Sequence, residues 1–259
     1  MKRSPPSFET NENNYAVVGR SAVAELLGGE RDVDKLFIQK GELKGAIHEL
    51  VAKARAKGIP VVAVDKAKLD AMAAGAAHQG VAAYAAALRY AEPEELVERA
   101  KQRGEVPLLL ALEGITDHQN LGAIIRSAEC AGAHGILIPK RRAAGVSAAA
   151  AKAAAGALEH LPVAKVSNMN DALQKLQEQG LWVFSADRGG KPVYECDLTL
   201  PAVIVIGGED SGVSRLTRER SDFVAELPMY GHTPSLNASV AAALMLYEAV
   251  RQRHFSERR

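Results

Sequence analysis

Three short stretches carry side chains that could do chemistry. Pro228-Met-Tyr-Gly-His-Thr-Pro-Ser-Leu-Asn237 runs straight into the apolar stretch Ala238 to Val250. Its Pro/Gly-rich turn delivers Ser235 and Asn237 to the mouth of a helix too apolar to lie on a surface. Helix openings present unpaired N–H groups that favour electron-rich ligands, although plain capping of that helix accounts for the same two residues. In the second stretch, Asn120-Leu-Gly-Ala-Ile-Ile-Arg-Ser127, Asn120 is a natural N-cap, and Gly122 and Arg126 share a helix face. A Gly below an Arg leaves room for the guanidinium to reach a bulky ligand such as a phosphate, while an i,i+3 ion pair of Arg126 with Glu129 fits equally well. The third, Gly207-Gly-Glu-Asp-Ser-Gly212, follows an apolar run. Gly residues there permit close backbone approach to a ligand, and Glu209 at a strand end can orient a hydroxyl or a cation. A solvated turn before a helix at 213–220 explains it as well. His118 and His232 lack a carboxylate at a telling spacing and read as loop histidines.

Several chemistries are excluded by what these stretches lack. There is no Gly-x-Gly-x-x-Gly after a strand with an acid at the expected distance, and no Walker-type loop. Arg188-Gly-Gly-Lys-Pro192 ends in Pro and reads as a hairpin or loop. A nicotinamide or nucleoside-triphosphate enzyme is therefore disfavoured. Cys130 and Cys196 stand alone, so disulfide frameworks and zinc sites are not expected; no metal is expected, and a reducing cytoplasm fits best.

The elements that must position these residues follow from composition and pattern. The chain has 259 residues, 47% hydrophobic and only 5% aromatic, with a formal net charge of +1. That supports a globular protein with a substantial core. It disfavours base-stacking platforms and leaves any nucleic-acid contact to a local basic patch. No apolar run reaches membrane-spanning length, and residues 1–13 read as a disordered tail. Residues 14–89 form an α/β pattern: helices at 19–27 and 43–57, strands at 35–39, 59–64 and 81–88, and a His78-Gln79-Gly80 turn. Residues 90–106 are charged, bracketed by Pro93 and Pro107, and read as a linker with room for one short helix. From 107 to 255, strands at 108–112, 135–138, 161–166, 181–185 and 203–206 alternate with helical segments such as 148–157 and 170–179. Such alternation argues for an α/β domain with a parallel sheet. Ligands gather at the C-terminal strand ends of such sheets, where the three polar stretches lie.

Taken together, Asn120-x-Gly-x-x-x-Arg126, Gly207-x-Glu209-x-x-Gly212 and Pro228-Met-x-Gly231 with Ser235-Leu-Asn237-x-Ser239-Val-Ala241 resemble the three ordered motifs of SpoU-type RNA methyltransferases of the SPOUT class. Tyr15 to Val23 and His78-Gln-Gly80 look like that family's small RNA-binding domain, similar in fold to certain ribosomal proteins. With it present, the resemblance is to the TrmH/RlmB group, which methylates a guanosine 2′-hydroxyl in large-subunit ribosomal RNA. Asp117-His-Gln-Asn120 departs from the group's Pro-containing turn, and Asp210-Ser211 fills a variable pair.

The resemblance implies a deep trefoil knot in 107–255 and a homodimer through the helix 238–250. It implies S-adenosylmethionine (AdoMet) as cofactor, held near Ser185, Gly207, Gly208, Leu227 and Leu236. It places Arg126, Asn120, Glu209, Ser235 and Asn237 in the catalytic site. Arg126 would act as base or, more conservatively for a guanidinium, as stabiliser of the developing alkoxide. RNA phosphate contacts are expected at Arg20, Lys140, Arg141, Arg142 and Lys152, a cluster that a solvated surface explains equally. Within the same resemblance, a transfer-RNA or antibiotic-resistance 2′-O-methyltransferase and a catalytically silent RNA-binding relative stay open.

Overall fold

The computed structural model describes residues 14–29, 31–41, 45–73, 75–86, 88–141, 143–209 and 212–255. The expected tail 1–13, Arg142 and the Asp210-Ser211 pair lie outside the described residues. The chain divides into two units, Met1–Arg89 and Tyr90–Arg259.

In the first unit the order is β1 (Asn14–Val18), α1 (Arg20–Gly28), β2 (Val33–Gln39), α2 (Ala46–Ala56), β3 (Val61–Val64), α3 (Lys66–Ala73) and β4 (Val81–Ala86). The sheet runs β1-β4-β2-β3, with only β2 and β3 parallel. Period-two alternation sets its layers. Leu36 and Ile38 enter one core with Leu26, Ile47 and Leu50, while Phe37 between them joins Val64 and Leu69 on the other face. The strand β1 and helix α3 were not anticipated from the sequence. The His78-Gln79-Gly80 turn has a structural job. Gln79, at φ 51, accepts from the Arg20 backbone N–H through Oε1 (2.9 Å) and from Arg20 Nε through its carbonyl (3.1 Å). His78 Nδ1 accepts from the Gly80 N–H (2.9 Å), which leaves Nε2 to donate to Asp70 Oδ1 (3.1 Å).

The second unit comprises α4 (Pro93–Gln102), β5 (Leu108–Glu113), α5 (His118–Cys130), β6 (Gly135–Pro139), α6 (Ala148–Ala153), β7 (Val163–Val166), α7 (Met169–Glu178), β8 (Trp182–Pro192), β9 (Ala202–Gly207), α8 (Arg215–Arg220), β10 (Phe223–Glu226) and α9 (Ala238–Phe255). The sheet order is β10-β8-β9-β5-β6-β7, every neighbouring pair parallel. Leu108 to Leu112 and Ala202 to Ile206 are buried throughout, as continuous apolar runs must be at the centre of a sheet covered on both faces.

The structure corrects the reading in three places. Residues 90–106 carry the short helix allowed for, but it is packed in the second unit rather than linking: α4 buries Leu96, Val97 and Ala100, and Leu96 and Val97 join the core with Leu109, Leu137 and Leu173. The Arg188-Gly-Gly-Lys segment, read as a hairpin or loop, makes no hairpin and lies within β8. Val224 lies opposite Ser185 and Ala225 opposite Lys191, so the chain between those residues bows out of the β10 ladder. The last helix is not wholly interior. Ala242, Met245, Leu246 and Ala249 are buried, but Val240, Leu244 and Tyr247 are exposed at 45%, 45% and 51%.

Candidate active site

Because the sheet is parallel, β5, β9 and β10 all end at one edge, and the three polar stretches leave from there. Asp117 rather than Asn120 caps α5, its carboxylate accepting from the N–H of Gln119 (3.1 Å) and Asn120 (3.0 Å). Relieved of that task, Asn120 turns its amide outward. Its Nδ2 donates to Glu209 Oε1 (3.1 Å), and its Oδ1 accepts from Asn237 Nδ2 (2.9 Å). Asn237 Nδ2 also donates to Glu209 Oε1 (2.6 Å). The Asn237 Oδ1 accepts from Ser239 N (2.9 Å), Val240 N (3.3 Å) and Ser239 Oγ (2.6 Å), so this residue caps α9. The cap fixes the amide orientation, because the oxygen must face the helix and the nitrogen the carboxylate. Three loops distant in sequence are thus tied at one carboxylate oxygen.

A second tie was missed from the sequence. Glu113, at the end of β5, accepts from Ser214 N (2.9 Å) and Thr217 Oγ1 (3.0 Å) and so holds the start of α8 against the sheet. An acid closing an otherwise apolar central strand was the available signal. The glycines also act differently from the reading. A Cβ on Gly122 would sit 2.4 Å from Ala150 O and from Ala153 Cβ, so this position lets α5 and α6 touch and does not make room for a ligand. A Cβ on Gly207 would lie 2.0 Å from the Gly212 carbonyl carbon, and one on Gly208 2.4 Å from Gly114 O. Both permit close approach of the chain to itself.

Beside the triad opens a cavity of about 410 Å³ between the middle of β8 and the ends of β9 and β10. Gly207, Gly208, Leu227 and Leu236 line it, together with Glu209 and Ser235. Ser185 does not line it: the residue is fully buried, and its hydroxyl is bonded to that of Ser221. Asp187, Arg188 and Glu226 do line it, and were not singled out. Arg126 is not brought to this cavity. It lies roughly 9 Å along the α5 axis from Asn120 at 1.5 Å per residue. It is exposed, and no ion pair with Glu129 or other partner is found for it among the described residues. Lys140 and Arg141 follow β6 at the same sheet edge, exposed, and Lys152 is exposed on α6. His118 opens α5 rather than lying in a loop, and its Nδ1 donates to Gly145 O (3.2 Å), while His232 is exposed in the loop before α9. Among the described residues, no group of three or more His, Cys, Asp or Glu could hold a metal ion, and no helix is long and apolar enough to cross a membrane.

Comparison with known proteins agrees with this geometry. The SpoU rRNA Methylase family matches residues 107–247, and the RNA 2′-O ribose methyltransferase substrate-binding family matches 16–91. A Bacillus subtilis protein named as a TrmH family tRNA/rRNA methyltransferase is 43% identical over 246 residues, covering 95% of this chain and 98% of its own length. A Staphylococcus saprophyticus protein with the same family name is 40% identical over 240 residues, covering 92% and 96%. Among solved structures, the SpoU methyltransferase AviRb of Streptomyces viridochromogenes, crystallised with AdoMet, superposes with a TM-score of 0.79 at 26% identity, covering 94% of this chain and 92% of its own. With the three motif loops joined at Glu209 and both family matches in place, the chain belongs to the SpoU rRNA methylase family.

Proposed function

We propose that this protein transfers the methyl group of AdoMet to a ribose 2′-hydroxyl of RNA. The observation that carries this reading is the Asn120–Glu209–Asn237 triad on the rim of a cavity suited to the donor. At about 410 Å³ the cavity is of ordinary size for a cofactor. Ile206, Ala225, Leu227, Leu236 and Ala241 offer apolar walls for a flat base, and Asp187, Glu209 and Glu226 offer carboxylates that suit a cation. Gly207, Gly208, Leu227 and Leu236 would hold the donor chiefly through backbone groups. AdoMet supplies a methyl group on a sulfonium, which is its own leaving group.

The chain must then present a ribose oxygen in line and make it a better nucleophile. Arg126 lies off the cavity, exposed and with no partner among the described residues. It is suited to grip an RNA phosphate next to the reacting ribose, from where its charge would stabilise the developing alkoxide. Asn120 and Ser235 orient the ribose or that arginine, while Glu209 holds Asn120 in place. Lys140, Arg141, Lys152 and Arg20 contribute phosphate contacts, which makes RNA affinity fall with salt. Arg126→Ala should abolish methyl transfer to RNA while AdoMet binding persists; near-normal turnover would remove Arg126 from the mechanism.

The finer reading is a guanosine of large-subunit ribosomal RNA, supported as to ribosomal RNA by the SpoU rRNA Methylase match over 107–247. Relatives named tRNA/rRNA methyltransferase keep a transfer-RNA target as the second reading. A trefoil knot in 107–255 is part of the proposal and rests on membership of the SpoU family. So is a homodimer, supported by the exposed Val240, Leu244 and Tyr247 on α9. A cytoplasmic location is part of the same proposal.

A further inference from the structure

Asp187 and Arg188 line the cavity, and with Gly189 and Gly190 behind them they form a built wall segment. Asp187 Oδ2 accepts from Arg218 Nη1 (2.6 Å), and Oδ1 from the Arg188 N–H (2.8 Å). The Gly189 N–H donates to Glu226 Oε2 (2.9 Å). Gly190 lies so close to β10 that a Cβ would be 2.2 Å from Val224 O. Pinned at these points, the segment sends the Arg188 side chain across to the opposite loop, where Nη2 donates to Pro234 O, one residue before Ser235. Both walls line the cavity.

Charge says what Arg188 is suited to meet. Among the described residues that line the cavity, Asp187, Glu209 and Glu226 are acidic, and Arg188 is the one cation. AdoMet carries two cationic centres, the sulfonium and the ammonium, and a single anion, the carboxylate of its amino-acid end. The acids suit the first two. The carboxylate finds a matching partner only at Arg188, whose guanidinium has five N–H donors in a planar fork. With Pro234 O engaging Nη2, donors remain for a two-point bond to a carboxylate.

We propose that Arg188 is a donor-recognition residue that binds the carboxylate of AdoMet and so clasps the donor between the Asp187–Gly190 wall and the Pro234–Ser235 loop. This rests on the assignment of the cavity to AdoMet. The test is calorimetric titration of the full chain, wild type and Arg188→Ala, with three ligands: AdoMet, S-adenosylhomocysteine and decarboxylated AdoMet. A charge-assisted pair open to solvent on one side predicts that Arg188→Ala weakens the first two roughly ten- to thirtyfold. Decarboxylated AdoMet should bind the variant as it binds wild type, which also shows that the cavity is intact. Arg188→Lys should fall between.

Equal loss for all three ligands would overturn the proposal and leave Arg188 as a wall held by Pro234. Loss for none of them overturns it too, and a fall in RNA affinity alone would assign the guanidinium to a phosphate instead. A wild-type protein that binds none of the three would sink the assignment of the cavity itself, an outcome distinct from the others.

Discussion

Replacing Glu209 by Ala removes the one oxygen at which the three loops meet. Two amide donors lose their partner, Asn237 Nδ2 at 2.6 Å and Asn120 Nδ2 at 3.1 Å, while the Ala238 N–H at 3.5 Å contributes little. The group is exposed, so water replaces part of what is lost, and each bond counts at about 0.5–1 kcal/mol rather than the larger value of a buried charged pair. The expected cost is roughly 1–2 kcal/mol, or a fall in melting temperature of about 2–6 °C for a chain of this size. Asn237→Ala should cost about 1 kcal/mol more than its share of that tie, because the α9 cap goes with it. The decisive quantity is the coupling. A double-mutant cycle of Glu209→Ala and Asn237→Ala, followed by urea unfolding, should give an interaction energy of about 0.5–1.5 kcal/mol. Glu209→Gln, which keeps an acceptor but loses the charge, should retain about half of it. Coupling indistinguishable from zero would refute the claim that one carboxylate ties the motif loops together.

Other substitutions probe the scaffold around the site. Gly122→Ala places a methyl group against Ala150 O and Ala153 Cβ and should cost about 1–3 kcal/mol by forcing α5 from α6; an unchanged melting temperature would show that the two helices do not touch there. Ala155, a non-glycine residue at φ 51, should gain about 0.5–1 kcal/mol on change to Gly, measured by urea unfolding, and a loss would contradict the assigned backbone. His134 accepts from Leu108 N through Nδ1, and burial lowers its pKa against the opposing pull of Glu105. With the folded pKa below the unfolded value near 6.5, its contribution is whole above about pH 6.5 and is lost as pH falls from there toward the folded pKa. The melting temperature should therefore drop less on acidification in His134→Gln than in wild type, and equal slopes would refute the linkage.

Much of the site was legible because its chemistry sits in side chains with few other uses. A carboxylate between glycines and two amides at helix openings pointed to one sheet edge, and Glu209, Asn120 and Asn237 do meet there. What spacing could not supply was the identity of the neighbour on each face. Gly122 was read as room for a ligand because nothing in its own helix shows that the alanine-rich α6 fills that room. Asn120 was read as a cap because Asp117, three residues earlier, is an equally good one. Ser185 lies one residue before the cavity wall begins at Ala186, and strand alternation sends its hydroxyl inward to Ser221. Arg188 was passed over because the bow of β8 depends on pairing with β10, a short strand that local pattern did not reveal. The short helix allowed for in 90–106 exists, but its narrow apolar side of Pro93, Leu96, Val97 and Ala100 did not reveal that it packs into the core.

The most direct test of the central claim is the chemical position of the methyl group. Unmodified ribosomal and transfer RNA would be incubated with the protein and AdoMet labelled in its methyl group, then hydrolysed in alkali. Alkaline cleavage needs a free 2′-hydroxyl, so a ribose-methylated nucleotide survives joined to its neighbour. The account predicts label in such alkali-resistant dinucleotides, and none with Arg126→Ala. Label released on single nucleotides carrying a methylated base, or no label in RNA despite AdoMet binding, would contradict it.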